Sequence, residues 1–371
     1  MGQVTSTALP AAEDQTDGSN GSDDKRVLVI GAGNFGTCLA DHLATIENEV
    51  YIWARDKKIV DSISNDNVNC RYLSDVKLST NLKGVSELNQ DIFDKVTVVL
   101  MSIPTQHMRS ILASIKPFLK LNHLLIFVNK GIEISTGLLP HDIASEMLGN
   151  EMGARTVYLS GPSFAAEVVR RQPTCVAVAS KSSKRAKRTQ RFFHAPCFRV
   201  YHIEDTTGLE VAGALKNVIA IASGACTGAG FQMNASAALI TRGLAEITRF
   251  GIAMNANPLT FAGFSGVGDL FLTCTSEKSR NFTVGYRLGK GEKLDDIISS
   301  LGSVAEGVPT TKAAYELARK HNVDSPITDQ VYAVLYENKP IDVAFKELME
   351  RDPSAELRGI SEPKTYFFSA H

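Results

Sequence analysis

The chain has 371 residues, enough for two or three domains with sizeable cores. Apolar residues make up 44% and charged residues 21%, the balance of a soluble globular protein, and a formal net charge of -1 gives no global field that would favour nucleic acid or an anionic membrane. Six scattered cysteines without a C-x-x-C pair argue against a disulfide framework, and no uninterrupted apolar stretch reaches about 18 residues, so no transmembrane helix is expected.

Residues 1–25 are rich in Gly, Ser, Asp, Gln and Asn, hold few large apolar side chains, and are expected to stay disordered outside the fold. No basic region runs into an apolar core there, which argues against a secretory signal. The start, Met1-Gly2-Gln3-Val4-Thr5-Ser6, fits the N-myristoylation pattern M-G-x-x-x-[ST]. It reads equally as an incidental sequence in a tail, and one acyl chain alone anchors only reversibly.

Arg26-Val27-Leu28-Val29-Ile30 reads as a short buried strand, and Gly31-Ala32-Gly33-Asn34-Phe35-Gly36 after it fits G-x-G-x-x-G. An apolar helical pattern begins at once with Phe35, Cys38, Leu39, His42 and Leu43. Gly31 allows the tight turn, Gly33 leaves room for a pyrophosphate, and Gly36 lets the helix sit close to the sheet. The helix N-terminus then offers unpaired N–H groups to the phosphates. Dinucleotide binding is the expectation; a glycine turn without a ligand is the plainer alternative. A second strand, Glu49–Trp53, follows. About 20 residues past the motif, where the adenosine ribose is held, stand Arg55 and Asp56. Asp56 suits a free 2′-hydroxyl, and Arg55 suits a 2′-phosphate or an adenine face. Both remain open.

Residues 96–101 read as a strand ending in Ser102-Ile103-Pro104-Thr105-Gln106, where Pro104 stops the strand and Thr105 can cap the helix carrying Met108, Ile111, Leu112 and Ile115. Strands are expected at 123–128, 157–159, 175–179 and 198–200, and a helix near 143–148. Pro104, Lys130 and Ser160 lie at strand ends, as the glycine turn does, and ligands of open parallel sheets sit there. Near Asp205 the strands stop. Helical periodicity covers 211–226, 236–250, 279–288, 310–321, 328–337 and 341–351. The expected division is a tail at 1–25, a Rossmann domain at 26–204, a helical substrate and catalytic domain at 205–351, and a loosely held tail at 352–371.

Two lysines stand out. Lys130 ends a strand beside Gly131. Lys216 lies inside an apolar helix, among Val211, Ala212, Ala214, Leu215, Val218 and Ile219. Burial draws an ammonium's pKa towards neutrality, where it can exchange a proton; the alternative is a lysine that snorkels to the surface. Asn217 beside it is a poor helix former, which fits an inward polar task. Farther on, Gly263, Gly266 and Gly268 lead into Asp269, with Thr273 one turn later. Asp269 could orient Lys216 or merely cap a helix. Arg280-Asn281 suits a phosphate, a guanidinium fork beside an amide; a surface ion pair of little value is the alternative for Arg280. No His, Cys or Asp spacing resembles a metal site, and no G-x-S-x-G is present.

Taken together, these segments resemble the NAD-dependent glycerol-3-phosphate dehydrogenases. The resemblance runs from about Arg26 to Arg351. It is carried by Gly31-Ala32-Gly33-Asn34-Phe35-Gly36-Thr37, Ile103-Pro104-Thr105-Gln106, Asn129-Lys130-Gly131-Ile132-Glu133, Leu159-Ser160-Gly161-Pro162-Ser163-Phe164-Ala165, Gly213-Ala214-Leu215-Lys216-Asn217, Gly266-Val267-Gly268-Asp269-Leu270, Ser279-Arg280-Asn281 and Val304-Ala305-Glu306-Gly307. Leu272-Thr273-Cys274-Thr275 is closer to bacterial and some protist members than to animal ones.

The resemblance implies an α/β Rossmann-type doubly wound sheet followed by an all-α domain, as in 6-phosphogluconate dehydrogenase. It implies reversible hydride transfer between NAD(P)H and dihydroxyacetone phosphate, giving sn-glycerol 3-phosphate, a step linking glycolysis, redox balance and glycerolipid synthesis. By the same resemblance Lys216 transfers the proton, Lys130 holds and polarises the substrate, and Asp269 completes the catalytic set, lining the polar site near Lys216 with Asn217 and Thr273. Gly161, Asn217, Thr273, Arg280 and Asn281 line the substrate site. Gly31, Gly33, Asn34, Phe35, Gly36, Arg55, Pro104, Lys130, Ala165, Arg280 and Glu306 line the cofactor, which is expected to be NAD, with NADP possible. A cytoplasmic homodimer is expected, with membrane contact only through an acylated Gly2 and no nucleic-acid partner. A related hydroxy-acid or sugar-phosphate dehydrogenase and an inactive dinucleotide redox sensor are the competing readings.

Overall fold

The first apolar run of the sequence lies at the centre of a sheet. The computed structural model describes residues 26–302 and 304–360; the expectations for residues 1–25, acylation of Gly2 included, and for 361–371 fall outside the described residues. Strand β1 (Arg26–Ile30) buries Val27, Leu28, Val29 and Ile30 completely. A parallel strand covered by helices on both faces shows neither side to water. Val27 and Val29 pack with Leu39 and Leu43 on one face, and Leu28 and Ile30 with Leu112 and Ile143 on the other.

The remaining strands are β2 (Glu49–Trp53), β3 (Leu82–Val85), β4 (Val98–Met101), β5 (Leu124–Phe127), β6 (Val157–Ser160), β7 (Thr174–Ala179) and β8 (Phe198–Ile203). Their order is β3-β2-β1-β4-β5-β6-β7-β8, parallel throughout except between β6 and β7. The first six make the doubly wound dinucleotide-binding order. Ile30 stands opposite Trp53 and Met101, and Met101 opposite Phe127. The turns after β1, β2, β4 and β5 therefore leave the sheet along one edge.

Helices α1 (Asn34–Thr45), α2 (Lys57–Asp66), α3 (Gln90–Lys95), α4 (Met108–Ile115), α5 (Pro140–Leu148), α6 (Asn150–Gly153), α7 (Ala165–Val168) and α8 (Ser183–Phe193) accompany the strands. The second half is helical: α9 (Thr206–Gly228), α10 (Met233–Ala253), α11 (Asp269–Cys274), α12 (Arg280–Gly289), α13 (Leu294–Ser300), α14 (Gly307–Lys320), α15 (Pro326–Tyr336) and α16 (Ile341–Met349). α9 is long and apolar enough to cross a membrane by length and composition, yet it is buried in the core of this half, packed by α10, α11, α12 and α14. Its contact with α12 is backbone on backbone. A Cβ at Gly224 would lie 2.0 Å from the Phe282 carbonyl oxygen, and one at Gly285 would lie 1.9 Å from that of Ile221. Glycine here lets the two helices approach, which carries the start of α12 to the middle of α9.

Some elements depart from the sequence reading. β3 carries Lys83 and Gly84 and buries only Leu82, so it has no apolar run to announce it. β8 continues to Ile203 with Arg199, Tyr201 and His202 exposed, an edge strand whose outward positions hide its length. Thr105 is not the cap expected: the chain leaves β4 through a tight 3₁₀ turn, Thr105–His107, and α4 starts only at Met108, leaving the buried Thr105 hydroxyl without a partner among the described residues. All six cysteines are free; Cys38, Cys226 and Cys274 are buried, whereas Cys70 is exposed. The start of the C-terminal tail is held, since Arg242 of α10 donates to the Glu356 carbonyl at 2.5 Å.

Candidate active site

At the end of β1 the chain turns sharply into α1. Gly31 has φ +114°, and a Cβ on it would lie 2.2 Å from the Ser102 carbonyl oxygen of the neighbouring strand end. A Cβ on Gly36 would lie 1.9 Å from the Gly31 carbonyl. Gly33 is different: among the described residues nothing lies within 4 Å of where its Cβ would be. So two glycines serve packing and the third keeps a space open. That space adjoins the N-terminus of α1, whose first N–H groups have no partner within the helix and which has no acidic side chain in its first turn. The cradle fits a pyrophosphate.

Asn34 and Phe35 sit in that first turn, Pro104 precedes the 3₁₀ turn after β4, and Ala165 begins α7. At the end of β2, Asp56 is the N-cap of α2, accepting the Lys58 N–H at 3.0 Å. Arg55 beside it is exposed.

Lys130 and Lys216 meet on one carboxylate. Lys130, just past β5, donates from Nζ to Asp269 Oδ2 at 2.7 Å and to the Gly161 carbonyl at 3.2 Å. Lys216, in the middle of α9, donates to Asp269 Oδ1 at 2.5 Å and to Thr273 Oγ1 at 2.9 Å. The Thr273 hydroxyl donates to the Asp269 carbonyl at 2.6 Å, one turn back along α11. Lys216 is 6% exposed and Asp269 1%, so Lys216 does not snorkel. Asp269 reaches this point because the chain ahead of α11 folds tightly: a Cβ at Gly266 would lie 2.0 Å from the Phe261 carbonyl. The Lys130 ammonium also stands 5.7 Å from the centre of the Phe35 ring, which links the lysines to the glycine turn.

The charges are unequal, two ammonium groups to one carboxylate. Burial draws the Lys216 ammonium down to about 8, with Lys130 adding to the effect and Asp269 opposing it. Burial alone would raise the Asp269 carboxyl, but the two lysines outweigh it and hold it below its usual range.

Around this core the amides interlock. Asn217 donates to the Lys130 carbonyl at 3.2 Å and accepts from Asn281 Nδ2 at 2.9 Å, while Asn281 Oδ1 accepts the Gly307 N–H at 2.9 Å. Asn281 is thus turned inward and ties α12 to α9 and α14. Arg280, one residue earlier, is exposed. Glu306 lies between Arg280 and the strand ends: burial pushes its carboxyl up to about 7, opposed by Arg280 and by the N–H groups of Thr105 and Lys130. Lys130 and Gly161 from the sheet edge thus form one hydrogen-bonded cluster with Lys216, Asn217, Asp269, Thr273 and Asn281 of the helical half, with Phe35 and Glu306 beside it, while Arg55 lies just past β2. An apolar groove between α9, α10, α12, α15 and α16, lined by Ile221, Leu239 and Phe345 among others, does not include the lysines. Sequence reasoning missed Asn69 and Thr310. Each is a single buried polar residue without a periodic pattern to mark it.

Residues 26–186 match the family described as NAD-dependent glycerol-3-phosphate dehydrogenase N-terminus, and residues 205–346 its C-terminus. A glycerol-3-phosphate dehydrogenase [NAD(P)+] of Geobacter metallireducens is 46% identical over 332 residues, 90% of this chain and 99% of that protein. One of Bacillus subtilis is 43% identical over 336 residues, 91% and 97% of the two chains. The crystal structure of a glycerol-3-phosphate dehydrogenase from Coxiella burnetii superposes with a TM-score of 0.84 at 34% identity, covering 88% of this chain and 99% of that one.

Proposed function

The chain belongs to the NAD-dependent glycerol-3-phosphate dehydrogenase family, and from that premise we propose how its cleft works. It is an oxidoreductase that moves a hydride reversibly between NAD(P)H and dihydroxyacetone phosphate, giving sn-glycerol 3-phosphate. Neither an inactive redox sensor nor a hydroxy-acid dehydrogenase is favoured beside relatives of this identity and coverage.

The observation that carries the assignment of roles is the shared carboxylate, with Lys130 Nζ 2.7 Å from Asp269 Oδ2 and Lys216 Nζ 2.5 Å from Oδ1. The bound cofactor supplies the hydride chemistry. In reduction the protonated Lys216 gives its proton to the substrate carbonyl oxygen; in oxidation the neutral amine takes it from the hydroxyl. A group titrating at about 8 populates both forms near neutral pH. The Lys130 ammonium stabilises the negative charge that develops on the same oxygen. Asp269 keeps both ammonium groups on one side of the cleft. Arg280, open at the rim, pairs with the substrate phosphate. Asn217, Asn281, Thr273 and Gly161 support these positions, and Glu306 lies towards the nicotinamide end of the cofactor.

NAD is the preferred cofactor in this reading: Asp56 caps α2 through Oδ1, which leaves Oδ2 for a free 2′-hydroxyl, and the exposed Arg55 is the group that would admit NADP as well. The enzyme is a cytoplasmic homodimer in this reading; the exposed Phe231, Met233 and Met349 on the helical half suit a subunit contact, which light scattering on the purified protein tests. The decisive assay follows NADH absorbance with dihydroxyacetone phosphate in the wild type and in Lys216→Ala. The wild type oxidises NADH only with substrate present, and the variant loses about two to four orders of magnitude in kcat. Wild-type turnover in Lys216→Ala removes the lysine from proton transfer; a wild type without substrate-dependent oxidation removes the function.

A further inference from the structure

Between α2 and β3 the chain returns to the glycine turn, and Asn69 is the point of contact. Asn69 is fully buried, and every hydrogen-bonding position of its amide is used. Nδ2 donates to the Ala32 carbonyl at 3.0 Å and to Thr37 Oγ1 at 2.8 Å. Oδ1 accepts the N–H of Arg71 at 3.2 Å and that of Tyr72 at 3.0 Å. The orientation of the amide is forced, because the Ala32 carbonyl can only accept and the two N–H groups can only donate.

The two halves of this amide face different things. One half closes a local turn at residues 69–72. The other half reaches 37 and 32 residues back along the chain. Ala32 lies between the first two glycines of the motif. Thr37 closes the first turn of α1, its N–H bonded to the Gly33 carbonyl at 2.9 Å. One side chain therefore grips the glycine turn on both sides of the open position at Gly33.

The loop is tied a second time, near α7. Asp75 pairs with Arg170. Asp41 of α1 accepts the Ser79 N–H at 2.7 Å and pairs with Arg171 at 2.5 Å. Held at both points, the loop packs Tyr72 against the sheet's core and within electrostatic reach of Arg280. A loop closed for its own sake needs none of the bonds to Ala32 and Thr37.

We propose that Asn69 is a positioning residue for the dinucleotide. It fixes the shape of the glycine turn, and hence where the first N–H groups of α1 point. It also couples that shape to the loop that brings Tyr72 to the cleft. The inference rests on the cleft being an NAD(P) site.

The test uses the full chain with NADH as the probe. Asn69→Asp keeps the size of the side chain and its acceptor towards Arg71 and Tyr72, but turns the two donors into an acceptor facing a carbonyl. Thr37→Val removes one acceptor and leaves Asn69 in place. Binding of NADH alone is followed by its fluorescence, beside the melting temperature of the apoprotein and steady-state kinetics. Asn69→Asp is expected to raise the Kd for NADH about tenfold or more, and Thr37→Val to raise it by a smaller factor. The kcat at saturating NADH and the KM for the second substrate stay within about twofold. Variants that bind NADH as the wild type does, with only the apoprotein's melting temperature lowered, overturn the inference. Should Asn69→Asp fail to fold, an unchanged Kd in Thr37→Val overturns it alone. A wild type that does not bind NADH overturns the cofactor reading and the inference with it.

Discussion

Replacing Asp269 by Asn tests whether one carboxylate sets the titration of Lys216, the lysine proposed to transfer the proton. The side chain is 1% exposed and lies 2.5 Å from Lys216 Nζ and 2.7 Å from Lys130 Nζ, so the change removes the counter-charge of two buried cations and little volume. Two unit charges about 4 Å apart interact by about 4 kcal/mol at an effective dielectric of ~20, and 1.36 kcal/mol is a tenfold change in protonation. Lys216 already titrates at about 8, with Asp269 as the main influence keeping it that high and Lys130 pushing it down. Without the carboxylate, burial and Lys130 act unopposed. The ammonium then gives way to the neutral amine. In the proposed mechanism carbonyl reduction needs the ammonium, so in the wild type kcat/KM for dihydroxyacetone phosphate is expected to fall as pH rises through about 8. In Asp269→Asn that limb moves to about pH 6 or below, and the rate at pH 7 falls roughly 10- to 100-fold from loss of the proton alone. The fold survives because the lysine can neutralise: releasing a proton at pH 7 from a group titrating at about 8 costs about 1.4 kcal/mol. The assay is the pH profile of kcat/KM between pH 5 and 9. A variant whose limb stays near pH 8, or whose loss is the same at every pH, refutes the electrostatic account.

Arg280→Ala is expected to raise the KM for dihydroxyacetone phosphate far more than that for NADH, since the guanidinium is the exposed cation at the cleft rim; equal effects on both remove it from the phosphate site. Stability should respond to a second buried acid. Glu246 accepts the N–H groups of Ile327 and Thr328 at 2.9 Å each, capping α15, and burial pushes its carboxyl from 4.5 to about 7. A carboxyl raised on folding binds more protons in the folded state between those values, so stability falls as pH rises from 4.5 to about 7, by up to roughly 3 kcal/mol from this group. Glu246→Gln should flatten the decline in melting temperature across that range, and an unchanged slope would show that the group is not the source.

Much of the sheet was legible because burial on both faces forces apolar runs. β1 announces itself by Val27-Leu28-Val29-Ile30, and α9 by its unbroken periodicity. β3, Leu-Lys-Gly-Val, lies next to β2 at the sheet's margin and carries no such signal. α8 buries Arg185 and Arg188, the residue type that ordinarily marks a solvated face, so its inward side was unreadable. In the site, Lys216 and Asp269 were visible as charges in apolar surroundings. Their meeting with Lys130 was not, because it joins positions 53 and 139 residues apart. The pair Arg280-Asn281 shows what adjacency conceals. Successive residues on a helix point about 100° apart. One of the two therefore opens to the cleft while the other locks α12 onto α9 and α14.

The position of Lys216 argues for its task on energetic grounds. An ammonium that titrates at about 8 when folded and at 10.5 when free makes the fold roughly 3 kcal/mol less stable at neutral pH than an unperturbed lysine would. Because this pKa is depressed, the penalty is full below about pH 8 and fades only towards 10.5. Its neighbours along α9 are fully or nearly fully buried, so an apolar side chain of similar volume would pack at this point without that cost. Packing therefore does not call for an ammonium here. In the proposed mechanism what calls for one is the oxygen of a reacting carbonyl: a proton held in a dry site, beside a second cation, with a carboxylate that favours the charged form when the lysine takes a proton back from solvent after each turnover. Because Lys130 comes from the sheet edge and the other two groups from the helical half, that arrangement exists only while the two are docked, and the interlocked amides of Asn217 and Asn281 are what hold the helical side of it in register.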